Sequence, residues 1–288
     1  MSARSEVLAR IVARLCGYSA LVALLGVFAV LLWNALRAFY EIGVIEFFTS
    51  GRWMPNGYSD NEFGLAAMLG STLVVTVLAM ALALPIGVGA AAFLAEFSPR
   101  WFRELAKPSI ELLAAIPSVV IGFMGITMIG PGFAWLAGNS HGLNAITGAV
   151  LLAVMALPTI VSISDDALRA VPTAWRDASA ALGAGRFHTF VWVVLPGARS
   201  GLAAAAMLGV GRAVGETMTV LMATGNALAF PTGLDSSIRT LTATIAIEMG
   251  EVAQGSIHYH ALFAIGLVLF AFSLGLNLLA ERVLARPS

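Results

Sequence analysis

The chain has 288 residues, of which 59% are hydrophobic and 11% charged, and its mean hydropathy is +0.90. Soluble domains carry about 25% charged residues, so a soluble enzyme, a disordered regulator and a small secreted domain are all excluded. Sixteen basic and sixteen acidic residues cancel, leaving no positive excess for a nucleic acid. The single cysteine, Cys16, excludes a disulfide framework or a Cys-rich metal site. An integral membrane protein remains.

Charge-free runs place the spans, because about 20 apolar residues cross about 30 Å of hydrocarbon. Leu15 to Leu36 is the first run, and the second span lies within Phe63 to Ala95. Leu112 to Ser164 is also free of charge. Gly130-Pro131-Gly132 and Gly138-Asn139-Ser140-His141-Gly142 read as a turn within it, giving spans at about 112–130 and 143–164. Ser200 to about Met222 and Ala261 to Ala280 complete the set. The expectation is an all-α membrane protein with six transmembrane helices. Continuous apolar runs argue against a β-barrel, whose strands alternate, and the absence of an evident internal repeat gives no support to an inverted-repeat transporter.

The first run is longer than a signal-peptide core of about 7–15 residues and meets Trp33, Phe39 and Tyr40 at its far edge. It reads as a retained helix. Residues 1–14 place Val7, Leu8 and Ile11 on one helical face with Arg4 and Arg14 elsewhere. This suits a cytoplasmic interfacial segment on anionic lipid, with residues 15–288 forming the membrane domain.

Basic residues set the orientation. With the N-terminus inside, the inner segments hold Arg4, Arg10, Arg14, Arg100, Arg103, Lys107, Arg169, Arg176, Arg186, Arg199, Arg282 and Arg286. Only Arg37, Arg52 and Arg239 fall outside, and Arg212 lies within a span. Both termini are therefore expected in the cytoplasm.

Catalytic signatures are missing. Lys107 is the sole lysine and stands in Glu104-Leu105-Ala106-Lys107-Pro108-Ser109, so the chain has no G-x-x-x-x-G-K-[ST] loop for ATP. No G-x-S-x-G is present. His258-Tyr259-His260 adjoins the outer end of the last helix, where such residues serve at the interface, so no metal is expected. Neither catalysis nor a cofactor is expected within this chain.

Two features carry function. The first is the loop from Asp165 to Arg199, the longest inner one. Ala174 to Leu182 is Ala-rich, follows Pro172-Thr173 as a cap, and carries Asp177 in its early turns. Gly183 and Gly185 stop it. A second amphipathic stretch, Phe187 to Leu195, ends at Pro196. Trp175, Phe187, Phe190 and Trp192 would have no core in a bare loop, so they imply docking on another protein or on the bundle's own inner face.

The second feature is Gly209-Val210-Gly211-Arg212-Ala213-Val214-Gly215-Glu216-Thr217-Met218 in the fifth span. Arg212 and Glu216 are four apart and so share a helical face. A charge at mid-bilayer costs about 2.5–3.5 kcal/mol on insertion scales, which points to a watered interior position. Gly211 and Gly215 give a small-residue face for close helix approach. Two roles stand open: a structural ion pair, or an anion path in which the Arg212 fork receives an oxyanion and Glu216 holds Arg212 between transport events. Thr217, Ser118 and Asn226 are candidate neutral donors. Gly122, Gly125, Pro117 and Pro158 are candidate points of bending.

Asp177-Ala178-Ser179, Gly183, Val193, Leu195 and Pro196 resemble the E-A-A-x3-G-x9-I-x-L-P loop of ABC importer permeases at full spacing, with Asp for Glu, Ser for Ala and Val for Ile. Gly211 to Asn226, G-R-A-V-G-E-T-M-T-V-L-M-A-T-G-N, resembles the PstC-type permease of phosphate ABC importers. Trp53-Met54-Pro55 with Phe63-Gly64, and Thr240 to Gly250, are similar to further parts of that family. The PstA-type partner typically reads differently after the Glu-Thr pair.

The resemblance implies a MetI-like permease fold and coupling of Asp177, Ala178, Ser179, Gly183, Val193, Leu195 and Pro196 to an ATPase. It places Arg212 and Glu216 on the anion path, where Thr217 is expected as a neighbouring neutral donor. The implied partners are a homologous PstA-type permease, two ATPase subunits holding ATP and magnesium, a periplasmic phosphate-binding protein and membrane lipid, in a bacterial inner membrane. A permease for another oxyanion, or an ATP-independent channel or sensor, are the rival readings.

Overall fold

The computed structural model describes residues 3–55, 61–138 and 142–284. Helix α1 (Ala3–Ile42) takes in the first apolar run and the basic residues before it without a break. Gly43, at φ 87°, ends it, and the short α2 (Val44–Thr49) turns back. Strands β1 (Trp53–Met54) and β2 (Glu62–Phe63) pair antiparallel, with Trp53 opposite Phe63. Helix α3 (Ala66–Ala92) continues into a π-helical turn, Phe93–Phe97. Helix α4 (Arg100–Leu113) then crosses this end of the bundle, and none of its residues is buried.

The third span differs from the expected one. Residues 112–117 close α4 and turn, and the crossing helix begins at Ser118. It runs as α5 (Ser118–Met124), a π-helical turn (Gly125–Ile129) and α6 (Gly130–Ala137). Gly130-Pro131-Gly132 is thus helical rather than a turn. Pro131 sits in the first turn of α6, where its missing N–H leaves no bond unmade. The chain leaves α6 at Gly138, φ 66°. Residues 139–141 of the expected turn lie outside the described residues.

Helix α7 (Ala145–Ala170) is capped by Asn144, whose side chain accepts from the Thr147 N–H at 3.0 Å. It ends where Val171, extended before Pro172, cannot continue the helix. Then follow α8 (Thr173–Ala181), α9 (Arg186–Thr189), a π-helical turn (Phe190–Val194) and α10 (Leu195–Gly197).

The fifth crossing is not a single helix. Helix α11 (Arg199–Gly215) meets the preceding segment at a 69° bend. It stops at Gly215, and α12 (Met218–Ala223) restarts two residues later. Helices α13 (Leu241–Glu248) and α14 (Ile257–Leu284) complete the chain. Among the described residues, five helices are long and apolar enough to cross a membrane, or six where the bent pair is taken as one crossing.

Small residues set how the helices meet. Val75, Ala79, Met80 and Ala83 of α3 interlock with Ala149, Leu152, Ala156 and Ile160 of α7 and with Ala213 of α11. A Cβ at Gly87 would meet Ile160 at 2.7 Å, and one at Gly209 would meet Ile160 at 2.9 Å and Met80 at 3.0 Å. Farther down, a Cβ at Gly201 would lie 2.4 Å from that of Ala167. Among apolar helices in lipid, such close backbone approach replaces the hydrophobic drive of water. Helices α1 and α14 pack antiparallel beside this slab, with Asn34 at His260 and Phe28 at Phe270.

At the α4 end of the bundle, Asp165 of α7 is wholly buried. Its carboxylate accepts from Lys107 at 2.9 Å, Arg103 at 3.3 Å and Arg169 at 2.9 Å. A buried carboxylate needs such company, since desolvation otherwise outweighs folding gains. Lys107 also reaches Asp166 at 2.9 Å. That hydrogen bond raises its pKa above the ordinary lysine value, burial working the other way. Its contribution to stability is present below the ordinary lysine pKa and is lost as pH climbs through the raised one.

Replacing Asp165 by Asn should destabilise the detergent-solubilised protein by about 3 kcal/mol, because three cations lose their common partner. Asp166→Asn, whose side chain is 70% exposed, should cost less than about 1 kcal/mol. Thermal unfolding of the two variants side by side checks this, and equal shifts would contradict it.

Candidate translocation and coupling sites

Arg212 occupies the last turn of α11, and the helix breaks immediately beyond it. Gly215 ends the helix, Glu216 turns to an extended conformation (φ −70°, ψ 132°), and Thr217 leads into α12. The break is held from outside the segment. Thr242 donates its hydroxyl to the Glu216 carbonyl at 2.9 Å, satisfying a group that the ended helix leaves free. Thr219 of α12 donates to the Ser118 carbonyl at 3.0 Å, which sets the start of α5 against the break. A Cβ at Gly122 of α5 would come within 2.9 Å of Met222 and 3.2 Å of Thr219. Gly122 therefore serves close packing on α12, and Gly125 does the same against Leu151.

The geometry corrects the expected Arg212–Glu216 pair. Because the helix has ended, the two residues do not share a helical face, and no ion pair joins them among the described residues. Glu216 Oε1 instead takes weak contacts from Thr219, at 3.4 Å from its hydroxyl and 3.5 Å from its N–H. The Arg212 Nε is buried and lacks a hydrogen-bond partner among the described residues.

Gly211 and Gly215 also depart from expectation. A Cβ at either would meet nothing within 4 Å, so that face is open within this chain, and the close approaches fall at Gly209 and Gly201. Of the candidate neutral donors, Ser118 and Thr217 border the break. Asn226, at φ 59°, spends its amide N–H₂ on the Leu221 carbonyl at 2.6 Å.

The second site is α8 to α10. Helix α8 spans the Ala-rich stretch expected from sequence, but its N-terminus has Pro172 and no side-chain cap, and no acid lies in its first turn. Asp177 and Ala178 are exposed at mid-helix. Ser179 is buried and shares a 2.9 Å hydrogen bond with Thr189 of α9, so the two helices close on each other. Gly183, at φ 82°, makes the turn in a backbone conformation that side chains disfavour. Val193 and Leu195 are half-buried, and Pro196 is exposed.

A groove of about 490 Å³ opens between Ser179, Leu182, Gly183, Gly185, His188 and Trp192. Phe190 turns into the bundle and meets Phe97 edge-on at 5.8 Å. Trp175, Leu182, Phe187 and Trp192 stay open, at 49%, 89%, 71% and 69% exposure.

At the hairpin end, Glu248 is a hub that sequence reasoning did not single out. It accepts from Trp53 Nε1 at 2.8 Å and pairs with Arg239 at 2.9 Å and His258 at 2.8 Å. His260 turns the other way, to Asn34. Arg239 is thereby occupied, as is Arg52 by Glu62 at 3.6 Å.

Comparison with known proteins gives the family. The model for "Binding-protein-dependent transport system inner membrane component" matches residues 83–287. The chain is 36% identical over 283 residues to a probable ABC transporter permease protein, YqgH, of Bacillus subtilis, covering 98% of this chain and 91% of that protein. It is 34% identical to the phosphate transport system permease protein PstC of Mesorhizobium japonicum, covering 88% and 81%. Among solved structures, an inward-facing MetNI methionine ABC transporter aligns with TM-score 0.60 at 20% identity, over 76% of this chain and 94% of that one. A bacterial alginate ABC transporter aligns with TM-score 0.63 at 14% identity, over 97% and 99%. These likenesses show a MetI-like permease fold. With a broken fifth crossing, an open loop of helices at one end and a family model spanning both sites, the chain belongs to the inner membrane components of binding-protein-dependent transport systems, and is a transport subunit rather than an enzyme.

Proposed function

We propose that the chain is the PstC-type permease of an ATP-driven phosphate importer in a bacterial inner membrane, both termini in the cytoplasm. It would form half of the anion path with a homologous PstA-type permease, two ATPase subunits that bind ATP and magnesium, and a periplasmic phosphate-binding protein. The observation that carries this is the Arg212 guanidinium, its Nε buried and unpartnered where α11 breaks. A guanidinium held without a carboxylate is free to meet a tetrahedral oxyanion through two parallel N–H groups. One cation with hydroxyls such as Thr217 and Ser118 binds weakly, and weak binding suits an ion that must leave. Glu216, displaced from Arg212 by the break, would act by limiting how long the anion stays. The phosphate transport permeases among the relatives support phosphate as the cargo.

Asp177, Ala178, Ser179, Gly183, Val193, Leu195 and Pro196 would form the ATPase-facing loop. The open Leu182, Phe187 and Trp192 beside a groove support that reading, since large exposed apolar side chains mark a surface that a partner covers. The basic segment 1–14, whose described residues 3–14 open α1, would lie against anionic lipid where the chain enters the membrane.

Arg212→Gln should abolish uptake of radiolabelled phosphate by the reconstituted complex, with all subunits still co-purifying. Failure to assemble would instead make Arg212 a structural residue. Sulfate, molybdate and tungstate should compete poorly in the same assay, and strong competition by any of them would reassign the cargo. Gly183→Val, which forces a branched side chain into φ 82°, should lose ATPase co-purification, and full retention would count against the coupling role.

A further inference from the structure

Resting on the coupling reading above, we infer that Arg176 is the positioning residue that fastens the ATPase-facing helix to the slab carrying Arg212. Arg176 lies in α8, one residue before the exposed Asp177, but its side chain turns away from that surface and is only 22% exposed. Its guanidinium makes four hydrogen bonds, with all three nitrogens donating. Nε and Nη2 donate to Glu96 Oε1 at 3.2 and 2.7 Å, Nη2 also donates to the Leu168 carbonyl at 2.8 Å, and Nη1 donates to the Val171 carbonyl.

Glu96 belongs to the π-helical turn that ends α3, whereas Leu168 and Val171 mark the end of α7. One planar group thus bonds the coupling helix to the ends of two spans at once. A lysine ammonium, a compact point charge, cannot reproduce that fork. Arg186, across the Gly183 turn, adds a bond to the Glu96 backbone carbonyl at 2.6 Å, so both arms of the loop meet the same residue. Beneath the clamp, Leu94, Leu168, Val171, Val194 and Ala198 form a continuous buried cluster.

The path onward is one of close contact. Helices α3 and α7 touch α11 where Gly201 meets Ala167 and where Gly209 meets Ile160 and Met80. With no side chain on the glycine side of each contact, Ala167, Ile160 and Met80 lock directly against the α11 backbone, and the helices cannot slide independently, because packed cores switch between discrete arrangements and do not deform smoothly. Displacement of α8 is therefore delivered through Arg176 to α3 and α7, and through them to α11, whose last turn holds Arg212. Neither contact is to the anion or to nucleotide, so Arg176 acts on transport only through the helices it grips.

The test uses the complete complex in proteoliposomes, with ATP hydrolysis and radiolabelled phosphate uptake measured on the same preparation. In Arg176→Gln, and separately in Glu96→Gln, the ATPases should still co-purify and hydrolyse ATP, while phosphate moved per ATP falls by about fivefold. Arg176→Lys, which keeps the charge on Glu96 but not the carbonyl bonds, should give an intermediate ratio. The Arg176→Gln, Glu96→Gln double variant should lose no more than either alone, as expected of one shared contact. An unchanged uptake-to-hydrolysis ratio in both single variants overturns the inference. So does loss of ATPase co-purification in both, since the clamp would then merely hold α8 folded. A wild-type complex whose uptake proceeds without ATP hydrolysis overturns the coupling reading and this inference together, and that result is seen before any substitution is made.

Discussion

Ile160 lies in a notch made by Gly87 of α3 and Gly209 of α11, and the arrangement of the whole slab follows from that contact. In lipid, water supplies no reason for one apolar helix to prefer another over a fatty acyl chain, so shape and backbone proximity must do so. Small residues on α3, α7 and α11 bring three backbones together. Larger side chains at Gly87 or Gly209 would hold them apart. Both candidate sites hang from these three helices: the break after Arg212 follows α11, the loop follows α7, and the π-helical turn that the loop grips follows α3.

The second organising device is interruption. A continuous helix satisfies every backbone group internally and offers nothing to an ion, whereas a broken one exposes groups that must find partners elsewhere. After Gly215 the chain gives up its helix for two residues, and Thr242 and Thr219 supply the bonds that keep this from being costly. The same interruption separates Glu216 from Arg212 and leaves the guanidinium without the partner that a regular helix would have provided. Breaking the helix thus both opens the backbone and frees the cation.

Charges at the α4 end of the bundle work differently. Asp165 gathers Arg103 and Lys107 of α4 with its neighbour Arg169, and Glu96 receives Arg176 on its carboxylate and Arg186 on its backbone carbonyl, and these contacts tie α4, α8 and α9 to the span ends. Glu248 performs the equivalent task at the hairpin end, joining β1, the segment before α13 and the start of α14. One buried and two half-buried acidic residues thus fasten the connecting segments to a core made of alanine, glycine and branched aliphatics.

Composition and local pattern alone determined the membrane class, five of the crossings to within several residues, and the helix at 174–182 with its glycine stop. They also marked Arg212 and Glu216 as charges out of place. Each of these depends on neighbours in the chain, where hydropathy, helical period and turn chemistry act. Tertiary structure alone decided the rest. A helical period treats Arg212 and Glu216 as facing one another, but Thr242, remote in sequence, stabilises a break that separates them. Gly130-Pro131-Gly132 reads as punctuation, but a π-helical turn before it absorbs the proline into a helix. Gly211 and Gly215 have the spacing of a contact face, yet Gly209 and Gly201 make the contacts, because helix rotation is set by which neighbours fit. Asp165 read as the first residue of a loop and is instead the most enclosed charge among the described residues, since its partners Arg103 and Lys107 lie about 60 residues away. Local pattern records what a segment can become, and long-range packing selects which of its surfaces is used.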